Sequence, residues 1–350
     1  MFERRETSRV KIGNIYIGAN EPIAVQSMLN RRSDDFEGSI AQAKELEAAG
    51  CDIVRAAVPD MKAVRLIGEL KNNISIPVVA DIHFDYKLAL ECVSAGVDKI
   101  RINPGNIGSE DRVKAVADAC KNAGVPIRIG VNSGSVEKEL LKKFGGPTPE
   151  AMAESAMYHA SLLEKFDFND IVISIKSSSV CNTVRAYETV AQMCSYPLHL
   201  GVTEAGTKHM GIIKSAAGIG SLLVHGIGDT IRVSLTDEPV EEIKAGIDIL
   251  KALNLREYCV EIVSCPTCGR TRINMIDIAQ KVTNALADCK KPLKVAVMGC
   301  AVNGPGEARE ADIGIAGGDG CGLIFKKGEI IRKVPEEKLV EELLLEIEKM

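Results

Sequence analysis

The stretch Val78-Val-Ala-Asp81-Ile-His83-Phe-Asp-Tyr-Lys-Leu-Ala-Leu-Glu-Cys-Val-Ser-Ala-Gly-Val-Asp-Lys99-Ile-Arg101-Ile-Asn103 decides the fold. A short β-branched run is followed by a segment with helical spacing, and then by a second run in which Ile alternates with polar residues. The same unit recurs along the chain. Strands are expected near Ala24–Met28, Ile53–Ala57, Val78–Asp81, Lys99–Asn103, Ile127–Asn132, Ile171–Lys176, His199–Val202 and Thr230–Ser234, each followed by a helical pattern. Eight such units ending near Leu253 fit a closed (β/α)8 TIM-type barrel more simply than an open doubly wound sheet. Ahead of them, Val10–Gly18 alternates about Gly13-Asn14 and reads as a hairpin that plugs the barrel floor.

Period-two alternation assigns side chains to the barrel axis. Ile100 and Ile102 face the helices, so Lys99, Arg101 and Asn103 point inward. Arg128 and Asn132, Ser174 and Lys176, and Arg232 and Ser234 behave the same way, and Gln26, Arg55, Asp81 and His83 join them. Barrel axes are usually filled with branched apolar side chains. Asp81 and Glu204 are too few to neutralise Arg55, Arg101, Arg128, Lys176 and Arg232, so a phosphate-rich ligand is expected at the mouth.

After Leu253 the pattern changes. Strands near Val260–Ser264, Leu293–Met298, Asp312–Ala316, Leu323–Lys327 and Glu329–Lys333, with helices over Ile273–Asp288 and Pro335–Met350, make a small α+β domain. The expected division is residues 1–253 for the barrel and 260–350 for the second domain. Two strands there run into cysteines: Cys265-Pro-Thr-Cys268, and Met298-Gly-Cys300 followed by Asn303-Gly-Pro-Gly306-Glu307. Three thiols leave one position open on a soft metal centre, and the Gly-Pro-Gly turn can return Glu307 to it. C-P-x-C-G also begins zinc ribbons, which normally carry a second C-x-x-C. The single Cys300 beside Asn303 and Glu307 suits an iron–sulfur cluster with an exchangeable carboxylate better. Cys321, in the Gly-rich run Gly317–Gly322 that reads as a flexible loop, is the other candidate for the fourth ligand, ranked behind Glu307. Cys51, Cys92, Cys120, Cys181, Cys194, Cys259 and Cys289 read as core residues. Gly218-Ile-Gly220 lacks the third glycine of a dinucleotide fingerprint and reads as helix packing.

Composition agrees with a globular chain. Of 350 residues, 46% are hydrophobic and 26% charged, which excludes a disordered chain, and no run approaches a membrane span. The first residues lack the apolar core of a secretory signal, so the cytoplasm is expected. The net charge of −5 argues against nucleic acid and anionic membranes as partners.

The motifs Ala80-Asp-Ile-His-Phe84, Arg101-Ile-Asn-Pro-Gly-Asn106, Gly130-Val-Asn-Ser-Gly134, Gly201-Val-Thr-Glu-Ala-Gly206, Ser264-Cys-Pro-Thr-Cys-Gly-Arg270 and Asn303-Gly-Pro-Gly-Glu307 closely resemble the 4-hydroxy-3-methylbut-2-enyl diphosphate synthase family. The likeness runs the length of the chain. It implies a [4Fe-4S] enzyme of the non-mevalonate isoprenoid pathway that reductively opens 2-C-methyl-D-erythritol 2,4-cyclodiphosphate. It further implies Cys265, Cys268, Cys300 and Glu307 as cluster ligands. Arg55, His83, Arg101, Arg128, Lys176 and Ser234 are implied as diphosphate-binding residues, with Arg232 close by. Glu204 is implied as the acid, and Asn132 and Asn303 as orienting groups. Ferredoxin or flavodoxin is the expected electron donor. A head-to-tail homodimer is expected from geometry, because the link over residues 254–259 spans only about 20 Å when extended. The alternative is a phosphate- or pterin-binding barrel with a structural zinc domain.

Overall fold

The computed structural model describes residues 3–257, 260–287, 289–301, 306 and 308–350. It divides into two compact units, Met1–Arg256 and Glu257–Met350.

The first unit opens with a hairpin, β1 (Val10–Ile12) and β2 (Ile15–Ile17), turning on Gly13 at φ 57°. The barrel strands follow: β3 (Ala24–Met28), β4 (Ile53–Ala57), β5 (Val78–Asp81), β6 (Lys99–Ile102), β7 (Ile127–Asn132), β8 (Ile171–Lys176), β9 (His199–Leu200) and β10 (Thr230–Ile231). All neighbours are parallel, in the order β8-β7-β6-β5-β4-β3-β10-β9, and an Ile173–Leu198 bridge closes the ring. The last two strands are shorter than their sequence patterns suggest. Beyond Leu200 and Ile231 the chain turns towards the mouth loops, and Arg232 N donates to Leu200 O (2.9 Å) as one of the last rungs.

The outer layer comprises α1 (Phe36–Ala48), α2 (Met61–Asn73), α3 (Tyr86–Ser94), α4 (Glu110–Ala123), α5 (Lys138–Phe144), α6 (Pro149–Glu164), α7 (Val180–Met193), α8 (Lys208–Val224) and α9 (Pro239–Ala252). Several begin where a short polar side chain satisfies free backbone N–H groups. Asp60 Oδ1 accepts from Lys62 N and Ala63 N, and Thr148 caps α6 ahead of Pro149. Outward strand residues such as Val54, Ala80, Ile100, Ile102, Ile127, Ile129 and Ile173 pack with these helices into one core. A separate inner cluster joins Val10, Ile12 and Ile17 of the hairpin to Ala24, Ile53, Val79 and Val172. The hairpin therefore plugs the floor. In α8, a Cβ on Gly218 would meet Val202 at 2.8 Å, so the glycine serves helix–barrel contact as expected.

The second unit carries β11 (Val260–Ser264), β12 (Leu293–Met298), β13 (Ile313–Gly318), β14 (Cys321–Lys326) and β15 (Glu329–Pro335) in sequential order, with α10 (Met275–Ala285) and α11 (Leu339–Glu348). Ile278, Val282, Leu339, Leu343 and Ile347 of the helices pack on Val295, Val297, Ile313, Ile315 and Ile324. Among the described residues no helix is long and apolar enough to cross a membrane.

Two expectations are corrected. The run Gly317–Gly322 is no flexible loop: Gly318 pairs with Cys321 across a tight hairpin, with Gly320 at φ 63°. Cys181 is exposed on the first turn of α7, whereas Cys51, Cys92 and Cys120 are buried as expected. Cys194 and Cys289 are half-buried, and Cys259 lies outside the described residues.

Candidate active site

At the C-terminal end of β5, Asp81 is the hub of the barrel mouth. Its Oδ2 accepts from Arg55 Nη2 of β4 (2.5 Å) and lies 3.2 Å from His83 Nε2, while Oδ1 accepts from Arg101 Nη1 of β6 (3.1 Å). Asp81, Arg55 and Arg101 are buried, and His83 is exposed. Burial alone would raise the Asp81 carboxyl. The charge of Arg55, the His83 hydrogen bond and the charge of Arg101 outweigh it and hold the group well below the usual carboxylate range. Two glycines make room on the inner face. A Cβ on Gly130 would lie 2.5 Å from Arg101 Nε, and one on Gly201 would lie 2.9 Å from Arg232 O and 3.5 Å from Lys176 Nζ.

Positive charge exceeds negative charge here. Arg55, Lys99, Arg101, Arg128, Lys176 and Arg232 project inward and influence one another electrostatically. Lys99 and Arg128 are wholly buried, and Lys99 Nζ and Arg128 Nε and Nη1 have no hydrogen-bond partner among the described residues. Burial, followed by neighbouring cations, pushes Lys99, Arg128 and Lys176 well below their ordinary values. Such an arrangement is costly when empty and suits a multiply charged anion.

The opposing carboxylate is not the one expected. Glu204 is exposed, and no ion pair to it is seen among the described residues. The second acid facing the axis is Glu242, in the first turn of α9. Its Oε2 accepts from Ser27 Oγ (2.9 Å) and lies 3.6 Å from Arg232 Nε, while Oε1 accepts from Leu235 N (3.0 Å). The sequence reading missed it because a first-turn Glu usually faces water. A signal was present, since Glu242 shares a stripe with Ile243, Gly246, Ile249 and Leu250 on the buried face of α9. His199 was also missed. It is buried in β9, with Nδ1 2.7 Å from Thr230 Oγ1 and Nε2 without a partner among the described residues, and burial holds it well below the ordinary histidine value.

Glu204 instead stands free in the loop after β9, with a left-handed backbone (φ 53°). That conformation costs a non-glycine residue of order 1–3 kcal/mol and persists where the surroundings enforce it. Asn132 ends β7 with its side chain exposed, and its N–H donates to Ser135 Oγ (2.9 Å). Ser234 is half-buried just beyond β10. The groove between α8 and α9, lined by Ile212, Ala216 and Ile249 among others, lies on the outer wall and is no part of this mouth.

In the second unit, Cys265 and Cys300 follow the ends of β11 and β12, which are parallel neighbours with Ser264 opposite Val297. Gly299 N donates to Cys265 Sγ (3.2 Å). The C-x-x-C turn is tied to the Cys300 turn, because Thr271 N donates to Cys268 O (3.0 Å) and Arg272 N to Gly299 O (2.9 Å). A Cβ on Gly317 would lie 2.7 Å from Gly299 O, so β13 must be bare where this turn crosses it. The Arg270 backbone N–H, then its side chain, draw the exposed Cys268 thiol below its usual value. Among the described residues no three His, Cys, Asp or Glu side chains gather closely enough to hold a metal ion. Asn303 and Glu307 lie outside the described residues. Cys265, Cys268 and Cys300 are thus not gathered about one point, although their donor type suits a thiolate-bound cluster, since an N–H aimed at Cys265 Sγ and a lowered Cys268 both favour anionic sulfur.

The GcpE TIM-barrel domain matches residues 7–247 and the GcpE protein C-terminal domain matches residues 261–349. The chain belongs to the GcpE family. GcpE relatives named 4-hydroxy-3-methylbut-2-en-1-yl diphosphate synthase (flavodoxin) align end to end. The protein of Ruminiclostridium cellulolyticum is 61% identical, covering 100% of this chain and 99% of its own. That of Clostridium perfringens is 61% identical over 99% of each chain, and that of Geobacillus thermodenitrificans is 55% identical over 100% and 94%. Among solved structures, Yersinia pestis dihydropteroate synthase has a TM-score of 0.51 at 13% identity, covering 70% of this GcpE chain and 98% of its own. The 3-dehydroquinate dehydratase of Geobacillus kaustophilus has a TM-score of 0.52 at 15% identity, covering 71% and 99%. These two share the barrel fold alone.

Proposed function

We propose that this chain is a 4-hydroxy-3-methylbut-2-en-1-yl diphosphate synthase, an oxidoreductase of isoprenoid precursor biosynthesis. It opens 2-C-methyl-D-erythritol 2,4-cyclodiphosphate to 4-hydroxy-3-methylbut-2-enyl diphosphate, consuming two electrons and two protons and releasing one water. The observation that carries this reading is the surplus of base over acid on the inner face of a GcpE barrel: six basic side chains, four of them buried, accompany Asp81 and Glu242.

In this reading Arg55, His83, Arg101, Arg128, Lys176, Arg232 and Ser234 bind the cyclic diphosphate and stabilise the charge freed when one ester end opens. Asp81 fixes the guanidinium planes of Arg55 and Arg101, so the site is organised before the ligand arrives. Glu204 holds the proton that leaves with the departing hydroxyl, and Asn132 and Asn303 orient the ligand. GcpE proteins are iron–sulfur enzymes. Cys265, Cys268 and Cys300 are the thiolates proposed to hold the cluster, of [4Fe-4S] type, with Glu307 at the fourth, exchangeable position. When bound, such a cluster supplies single electrons and Lewis acidity. Flavodoxin is the proposed electron donor, following the name its relatives carry. The proposed working form is a homodimer.

The test is anaerobic purification followed by iron and sulfide analysis and incubation with the cyclic diphosphate and a reductant. Iron, sulfide and consumption of the substrate support the reading. A colourless protein with one zinc per chain and no consumption contradicts it.

A further inference from the structure

Lys99 lies two residues before Arg101 on β6, hence on the same inner face and one layer deeper. It is wholly buried, in register with Val79 of the apolar plug, and its Nζ has no partner among the described residues. After burial, the charges that act on it are those of Arg128 from β7 and Arg55 from β4. His199 from β9 senses Lys99 but is itself uncharged, and Gln26 from β3, also buried, leaves both amide atoms without a partner among the described residues. Neither carboxylate is available to it. Asp81 is taken by Arg55, Arg101 and His83, and Glu242 by Ser27, Leu235 N and Arg232.

An ammonium without a counter-ion beside two guanidinium groups cannot stay charged cheaply in a dry interior. Arginine holds its proton in such places, whereas lysine gives it up. We propose that Lys99 is a further binding residue for the diphosphate, uncharged in the empty barrel and protonated when the anion enters, so that binding takes up a proton from solvent. This rests on the reading of the mouth as a diphosphate site. Burial, then Arg128 and Arg55, already hold Lys99 well below the ordinary lysine value. An anion neutralising Arg128 and Arg55 removes that repulsion and adds attraction, so Nζ gains a proton and the layer is balanced. The sign follows: affinity rises as pH falls through the Lys99 value in the complex, and levels off below its value in the empty barrel. The cyclic diphosphate is a clean probe, because each phosphate is doubly linked and lacks the second ionisation near pH ~6 of a phosphate monoester.

The experiment is calorimetric titration of the anaerobic holoenzyme and its Lys99→Met variant in two buffers of different ionisation heat, which counts protons exchanged. The cyclic diphosphate and inorganic pyrophosphate are used as separate probes. Methionine keeps the length and removes an unpartnered amine, so the variant is expected to fold; Lys99→Gln is the second replacement. The expected result is about one proton more taken up by wild type than by either variant, with a flatter pH dependence of affinity in the variants. Equal uptake in all three, or none in wild type, overturns the inference while leaving the substrate reading intact. If pyrophosphate binds with Lys99-dependent uptake and the cyclic diphosphate does not bind, the substrate reading fails and the inference survives. If neither anion binds, both fall.

Discussion

Arg256 is ion-paired with Asp52, Nη1 to Oδ2 at 3.1 Å, where Asp52 immediately precedes β4 at the barrel floor. Leu255 and Arg256 also share a groove with Asn14 and Tyr16 of the floor hairpin. The last residues of the barrel unit thus lie on the side opposite its mouth. The proposed head-to-tail homodimer, in which each thiol domain serves the barrel of a partner subunit, is tested by complementation. Mixing a Cys300→Ser chain with a Glu204→Gln chain and allowing exchange is expected to restore about one quarter of wild-type activity. No restoration despite demonstrated exchange would place barrel and thiols of one chain in the same site.

Replacing Asp81 by Asn leaves Arg55 and Arg101 buried without their shared counter-charge. Losing one partner of such a network costs about 3–5 kcal/mol, to be read by urea denaturation. Asp81 titrates below the ordinary carboxylate value of ~3.9 when folded, so its contribution is complete above about pH 4. It disappears as pH falls through the folded value. Wild type is expected to lose stability more steeply than Asp81→Asn in that acid range, and parallel curves would show that the hub contributes nothing.

Glu204→Gln preserves size and hydrogen bonding but has no carboxyl proton to give. Turnover is expected to fall about a hundredfold or more with substrate affinity nearly unchanged. An unaltered rate removes Glu204 from the mechanism, and its left-handed backbone would then need another explanation.

For the fourth ligand, Glu307→Ala is expected to retain part of the iron and lose most activity, and Cys300→Ser to lose more iron. Cys321→Ala is expected to keep both, because Cys321 is pinned opposite Gly318 in a hairpin. Iron analysis and absorbance of the three variants decide it. Bleaching in Cys321→Ala with an unchanged Glu307→Ala reverses the assignment.

Strand order was legible because inward polar and outward apolar residues alternate so regularly in Lys99–Ile102 and Ile127–Asn132 that face and period are fixed together. The identity of the charges on the axis followed from the same alternation. Their pairing did not, because a glutamate in the first turn of a helix usually faces water, and the buried stripe that Glu242 shares with Ile243, Gly246, Ile249 and Leu250 was passed over. The fold turns Glu242 inward to Ser27, while Glu204 is exposed. The run Gly317–Gly322 looked mobile because glycine content suggests freedom. Its glycines instead answer close approach, at Gly317 under Gly299 and at the turn residue Gly320. Cys181 looked buried from its apolar neighbours, but the first turn of α7 presents that position outward.

The central claim is that the cationic barrel mouth and the three-cysteine domain together open a cyclic diphosphate by reduction. Phosphorus NMR of the anaerobic, iron-loaded protein incubated with 2-C-methyl-D-erythritol 2,4-cyclodiphosphate and reduced flavodoxin tests it most directly. The expected result is loss of the cyclic signals and growth of a linear diphosphate with a terminal phosphate, one equivalent for every two electrons supplied. Unchanged cyclic signals from a protein with full iron content and demonstrated reduction would contradict it.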